Sequence, residues 1–243
     1  MKKEQVIKSL KGPDQVRLRP GVIFGSNDIA GCQHAIFEVI SNSIDEARSG
    51  YGKEIIISKY GDDIIEVEDF GRGIPIEWNE AEQKFNWELL FCTLYAGGKY
   101  DSSSDYEFSL GLNGLGLAST QFASAYMEVI VYSNGFRYEL EFKKGENVIV
   151  GVEDGFYKTE DSSDRTGTII RWMPDLEVFT DVKVPRTYFQ DILRKQAMVN
   201  DGLVLRYREP DNGYEETFCY EHGISSYVDS SVKAPISSIL DWE

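Results

Sequence analysis

Glu38, Asn42 and Asp45 follow one another at i, i+4 and i+7 in a strongly apolar segment. At 100° per residue they fall within roughly 60° of each other, opposite an arc of Ile36, Phe37, Val39, Ile40, Ile44 and Ala47. Such a stripe is the ordinary solvated face of a helix. It is equally a row of hard oxygen atoms, in which an asparagine oxygen suits Mg2+ and a nearby carboxylate can take a proton from water. Further along, Glu68-Asp69-Phe70-Gly71-Arg72-Gly73-Ile74-Pro75 follows a strand-like run. Two glycines and a proline fix a tight turn, so Asp69 leaves the strand in a set direction, suited to accept a hydrogen bond from an amino group such as that of adenine. An ordinary Asx turn explains the same Asp-x-Gly.

A third group is Gly97-Gly98-Lys99, then Gly111-Leu112-Asn113-Gly114-Leu115-Gly116 at the start of a helix-prone stretch. Glycines there let backbone N–H groups approach an anion, the helix dipole favours it, and Lys99 can add a point charge against phosphate. The run is not a P-loop, because no Gly-Lys-Ser/Thr follows at the required spacing. It is not a dinucleotide fingerprint either, which needs a strand just before it.

Several elements must position these residues. The apolar period predicts a helix over 31–48, and 54–58 with 64–68 read as a hairpin around Tyr60-Gly61-Asp62-Asp63. Residues 77–95 have helical spacing at Trp87, Leu90, Phe91 and Leu94. Residues 96–110 read as a loop, and another helix opens at Gly116 and runs to about 125. Strands are expected at 127–133, 136–142, 147–152, 166–173, 203–208 and 215–220, with an amphipathic helix at 185–200 and a partial helix from His222. This order predicts an α+β fold: a two-layer sandwich of a mixed, mostly antiparallel sheet with helices on one face. Residues 1–20 read as an N-terminal arm, 21–221 as the main domain and 222–243 as a tail leading onward.

Composition restricts the function. Across 243 residues, 25 Lys and Arg face 41 Asp and Glu, a formal net charge of −16. Such a surface repels a phosphate backbone, so the chain itself is expected to bind nucleic acid poorly. Three cysteines at 32, 92 and 219 have no metal-type spacing, and no apolar run is long enough for a signal peptide or a span. A cytoplasmic protein that does not enter a membrane is the expectation.

The order and spacing of the three groups, with Thr166-Gly167-Thr168 after them, resemble the four boxes of the GHKL ATPases. Within that superfamily, five segments are similar to the B subunits of DNA gyrase and topoisomerase IV. They are Arg19-Pro20-Gly21, the run from Phe37 to Ala47, Gly71-Arg72-Gly73-Ile74-Pro75, Tyr95-Ala96-Gly97-Gly98-Lys99-Tyr100 and Thr166-Gly167-Thr168. The resemblance implies the Bergerat fold and an ATPase using ATP and Mg2+. It assigns Glu38 as the general base, Asn42 as the Mg2+ ligand, and Asp69 with Thr168 as readers of adenine. It also places Asp45, Gly73, Ile74 and Pro75 in the pocket, with a Glu46–Arg72 pair beside the adenine. Lys99, Tyr106 and the run Gly111, Leu112, Asn113, Gly114, Leu115, Gly116 would hold the nucleotide, in a loop that orders on it.

The resemblance further implies a nucleotide-dependent dimer, a gyrase or topoisomerase A subunit as partner, and DNA contacted only through regions beyond this chain. A chain ending before the second domain of the family is expected to be mainly monomeric and slow in turnover. Departures from the family pattern are Phe70, Glu107, Leu110, Asn113 and Ser133. Ser133 stands where coumarin-contacting members carry an arginine, which implies weaker coumarin binding. A histidine kinase would need a phosphoacceptor histidine on an upstream helical hairpin, and only His34 and His222 exist. Chaperone and mismatch-repair relatives fit the boxes but not the Arg-Pro-Gly or Tyr-Ala-Gly-Gly-Lys segments. A binding-only nucleotide sensor has no use for the carboxylate at 38.

Overall fold

Alternation along the strands Phe136–Lys143 and Gly167–Pro174 shows which side of the sheet is dry. A computed structural model describes residues 10, 12–96, 115–225 and 227. Three helices come first: α1 (Asp14–Arg17), α2 (Pro20–Phe24) and α3 (Ile29–Arg48). The hairpin β1 (Glu54–Tyr60) and β2 (Ile64–Asp69) follows, then β3 (Trp78–Asn79), β4 (Lys84–Phe85), α4 (Asn86–Cys92) and α5 (Gly116–Phe122). The rest is β5 (Ser124–Ser133), β6 (Phe136–Lys143), β7 (Glu146–Asn147), β8 (Tyr157–Glu160), β9 (Gly167–Pro174), α6 (Arg186–Val199), β10 (Val204–Glu209) and β11 (Tyr214–Phe218).

Among the described residues the main sheet runs β11-β10-β1-β2-β9-β5-β6-β7, with β8 also on β6. Only β1 with β10 is parallel. Register puts Tyr207, Ile57, Val67, Ile170, Val129 and Leu140 in one row across six strands, all buried beneath the helices. Into this face α3 sends Ile36, Ile40 and Ile44, while α6 stacks Phe189 on Tyr207 at 4.8 Å between ring centroids. The other face carries ion pairs: Arg206 with Glu54, Arg171 with Glu66 and Glu128, Arg165 with Glu68. One apolar face under helices and one charged face make the two-layer α+β sandwich expected.

Two stretches depart from the expected elements. Residues 77–95 are not one helix. Asn79 Oδ1 accepts from the N–H groups of Ala81 and Glu82, Gln83 takes a positive φ, and Trp78 packs edge-on against Phe85. That small hairpin uses up the first turns, and α4 starts only at Asn86. The strand expected at 147–152 pairs only as β7. Asn147 turns the chain there, accepting from Ile149 N–H and donating to Gly155 O, and β8 takes up the edge of β6 further on. The partial helix expected from His222 falls mostly outside the described residues.

The N-terminal segment is tied into the body. Val16 is fully buried, and the Arg17 guanidinium donates to the Phe122 and Ser124 carbonyls and to Asp175 and Glu177. Burial works against the Asp175 carboxyl, but Arg17 and the Glu177 N–H together hold it below its ordinary range.

A second ion-pair knot joins α6 to β10. Glu209 accepts from Arg186, Asn212 and the Tyr207 hydroxyl, and the Arg186 hydrogen bond foremost holds its carboxyl down to about 2. A depressed carboxyl contributes stability above the unfolded value of 4.5 and loses it as pH falls toward about 2. Glu209→Gln is therefore expected to lower the melting temperature at pH 7 by a few degrees. Thermal unfolding between pH 7 and pH 2 should show the gap to wild type narrowing below about pH 4.5.

Candidate functional site

The site is built on the exposed flank of α3. Asp28 starts that helix as its N-cap, accepting from Ala30 N–H. Glu38, Asn42 and Asp45 then emerge half-buried from the side opposite the apolar arc. Asn42 Nδ2 donates to the Glu38 carbonyl one turn back. A carbonyl can only accept, so this bond fixes the amide's orientation and presents Oδ1 outward.

Glu38 has two neighbours that set its place. A Cβ added at Gly116 would collide with Glu38 Oε2, so glycine is what lets the start of α5 close on this carboxylate. On the other side, His34 Nε2 lies 3.2 Å from Glu38 Oε1, one turn earlier on the helix. His34 Nδ1 is 3.2 Å from the Phe24 carbonyl, and must carry the hydrogen there because that oxygen only accepts. The contact sets an imidazole nitrogen beside the carboxylate, on the side away from Gly116. Sequence reasoning uses His34 only as an argument against a kinase. Its spacing, four residues before Glu38 on one helix, is the signal that could have found it.

Asp69 ends β2 and is almost fully buried. Its Oδ1 accepts from the N–H groups of Gly71 (3.1 Å) and Thr168 (3.2 Å), and its Oδ2 from the Ser43 hydroxyl (2.9 Å). Burial pushes the carboxyl above its ordinary value and outweighs these three donors. Thr168 Oγ1 accepts in turn from Ile74 N–H at 3.1 Å, which locks the turn after Asp69 onto β9. The approach of β9 depends on Gly167: it has φ +130°, and a Cβ there would run into the Asp69 carbonyl. Ser43, too, is missed by sequence reasoning. It stands about 100° round the helix from Asn42, which turns it toward β2.

Glu46 and Arg72 form the expected pair. The guanidinium meets the carboxylate through Nε (2.9 Å) and Nη2 (3.0 Å), and Arg72 N–H adds a third bond. Burial raises Glu46, yet the bonds from Arg72 together hold it below the ordinary range. Tyr51 lies under the guanidinium, 3.8 Å from ring centroid to Arg72 Cζ.

These residues enclose a cleft of about 1400 Å3. Asn42, Asp45, Glu46, Asp69 and Arg72 line it, together with Gly73, Ile74, Pro75 and Thr168. Leu117 of α5 and Ser133 also line it. Glu38 is not in the wall itself; it stands one turn beyond Asn42, against Gly116. Leu115 precedes α5 and accepts from Ser119 N–H. Lys99, Tyr106, Gly111, Leu112, Asn113 and Gly114 lie outside the described residues, as do Glu107 and Leu110.

A cleft between a helix flank and a strand end, in a two-layer sandwich of this topology, defines a class. Residues 27–177 match the profile of the histidine kinase-, DNA gyrase B- and HSP90-like ATPases, and the chain belongs to that family. Within it, the chain is 36% identical over 222 residues to the DNA gyrase B protein of Thermotoga maritima, covering 91% of this chain and 34% of that protein. It is also 36% identical over 227 residues to the DNA gyrase B protein of Staphylococcus aureus, covering 92% of this chain and 34% of that one. Its fold superposes on the 43K ATPase domain of Thermus thermophilus gyrase B, solved with an aminocoumarin. The TM-score is 0.78 at 27% identity, over 92% of this chain and 56% of that one. The chain spans about a third of the length of the curated relatives it matches.

The Gly167 contact yields a direct test. Gly167→Ala adds a methyl at a positive φ and into the Asp69 carbonyl, so it should destabilise the fold by more than ~2 kcal/mol. The shift of the urea midpoint measures this; a change within experimental error would mean that β9 does not depend on this glycine.

Proposed function

We propose that this chain is the ATP-binding and ATP-hydrolysing part of a type II DNA topoisomerase of the gyrase kind, within its B subunit. The observation that carries this reading is one cleft along the flank of α3, with a buried carboxylate on one side and, on the helix itself, an amide oxygen in its wall with a carboxylate one turn earlier. The buried carboxylate, Asp69, is set to accept from an amino-purine. Glu38 and Asn42 present the other carboxylate and a hard amide oxygen. Five residues separate Glu38 from Ser43, the contact of Asp69, which is about 7.5 Å of helix rise. A nucleotide lying along this stretch of α3 meets both groups.

In this reading Asp69 and Thr168 read adenine, Gly73, Ile74 and Pro75 form its wall, and the Glu46–Arg72 pair borders it. Asp45 lines the pocket beside Asn42. Glu38 takes a proton from the water that attacks the terminal phosphate, and His34 orients the carboxylate for it. Lys99, Tyr106 and residues 111–116 hold the nucleotide's phosphate side, as the resemblance implies. Asn42 would hold Mg2+. Its Oδ1 is turned outward by the bond from its own nitrogen, and the described residues contain no cluster of three His, Cys, Asp or Glu side chains. That donor set fits an ion that takes most of its ligands from water and phosphate oxygens. The ion would neutralise charge on the triphosphate.

The larger activity belongs to a protein longer than this stretch: a nucleotide-dependent dimer that works with an A subunit and reaches DNA through other regions. The net charge of −16 accords with that division of labour. A cytoplasmic location is part of the same proposal; among the described residues no helix is long and apolar enough to cross a membrane.

The test is a titration with a non-hydrolysable ATP analogue, with and without Mg2+, on wild type, Asp69→Asn and Glu38→Gln. Asp69→Asn should weaken binding by more than about tenfold, because a buried hydrogen-bonded pair is mismatched. Glu38→Gln should bind nearly as wild type yet lose hydrolysis by ~10²–10⁴. Unaltered binding by Asp69→Asn would remove the cleft from the reading.

A further inference from the structure

Asp69 is held by donors from three elements, and they divide unequally between its oxygens. Gly71 N–H and Thr168 N–H both reach Oδ1, whereas Oδ2 accepts from the Ser43 hydroxyl. We propose that Ser43 is the positioning residue that keeps Oδ2 of Asp69 a hydrogen-bond acceptor, and so sets the cleft's preference for a 6-amino over a 6-oxo purine. The inference rests on the ATP reading and deepens it to the determinant of base choice.

The two backbone donors come with the fold. They follow from the turn at Gly71 and the approach of β9, and would be present for any residue at 43. Ser43 is the side-chain contribution: a buried hydroxyl 2.9 Å from Oδ2, on the wall of the same cleft. A serine has one hydrogen to donate. While it donates to Oδ2, that oxygen is an acceptor with a further lone pair for an incoming N–H. Were Oδ2 to carry a proton, the serine hydroxyl would have to turn and accept instead. In either arrangement the serine keeps the hydrogen between the two groups away from a ligand; only when the hydroxyl at 43 is missing is an O–H at Oδ2 left to point at one.

Burial drives Asp69 toward the neutral acid, and Glu46 adds to that push, while Gly71, Ser43 and Thr168 oppose it. Without the Ser43 hydroxyl the balance moves toward the neutral acid, whose O–H donates. A donor at this position matches the carbonyl of a 6-oxo purine and opposes the amino group of a 6-amino one. Buried donor–acceptor mismatches of this kind are what give a polar site its selectivity.

The experiment measures equilibrium binding of the β,γ-imido analogues of ATP and ITP, which differ at the 6-position, to wild type, Ser43→Ala, Ser43→Thr and Asp69→Asn. Wild type should favour the adenine analogue by more than about tenfold. Ser43→Ala should cut that ratio by about tenfold, and Ser43→Thr, which keeps the hydroxyl, should restore it to within about twofold. Ser43→Cys, close in size and a weak donor, gives the same reading if the alanine variant does not fold. An unchanged ratio in Ser43→Ala overturns the inference, and so does an equal loss for both analogues, which marks a structural role only. The ATP reading is separable: if Asp69→Asn keeps the wild-type preference, the cleft does not read the base through Asp69 at all. If Asp69→Asn loses the preference and Ser43→Ala keeps it, the Ser43 assignment alone falls.

Discussion

A carboxylate taken out of water at the end of a strand is the constraint around which this structure is arranged. Left alone, a buried Asp69 would neutralise or destabilise the fold, since an unpaired ion in a low-dielectric interior is costly. Its three donors come from the turn after β2, from β9 and from α3, so all three elements must close on one point. That requirement explains two features with no other evident purpose: a glycine at 167, where a side chain would strike the Asp69 carbonyl, and a small polar residue inside an apolar helix at 43. The donors do not fully offset burial, and the carboxyl stays above its ordinary value. A group in that condition has unmet hydrogen-bonding capacity, as ligand-reading groups do.

Much of this is legible in the chain because it lies in local periodicity. The stripe of α3, the β1–β2 hairpin and the amphipathic α6 follow from alternation and 3.6-residue spacing, and they appear within a few residues of the expected bounds. The Asp69 turn and the Glu46–Arg72 pair are also readable, the first from its turn residues and the second from the resemblance. Residues 77–95 mislead because Trp87, Leu90 and Phe91 do have helical spacing. The competing signal is one side chain, Asn79, whose oxygen captures two backbone N–H groups and spends the first turns on a hairpin.

What stays hidden depends on tertiary contact. Ser43 and His34 carry no motif of their own. Ser43 matters because β2 brings Asp69 over it, and His34 because the carbonyl of Phe24 fixes which ring nitrogen bears hydrogen. Likewise the sequence contains many glycines, and nothing in their spacing separates Gly116, which admits the Glu38 carboxylate, from a glycine that only makes a turn. Chemistry at this site is therefore half a matter of residue identity and half of which neighbours the fold supplies.

The acidic balance bears on how such a site could take a polyanion. A net charge of −16 opposes a triphosphate at long range, but charges beyond about 8 Å are largely screened at physiological salt. The open face of the sheet, moreover, matches its glutamates with Arg171, Arg165 and Arg206, so the excess is not concentrated there. Binding then turns on what lies within a few ångströms of the phosphates. Near the Glu38 end the described side chains offer a carboxylate, an amide oxygen and a histidine already engaged by that carboxylate. Oxygen atoms do not attract phosphate. On the proposed reading Lys99 and the N–H groups of 111–116 meet the phosphates together with a cation that Asn42 would hold, so that metal binding and nucleotide binding are linked, each strengthening the other by the same factor.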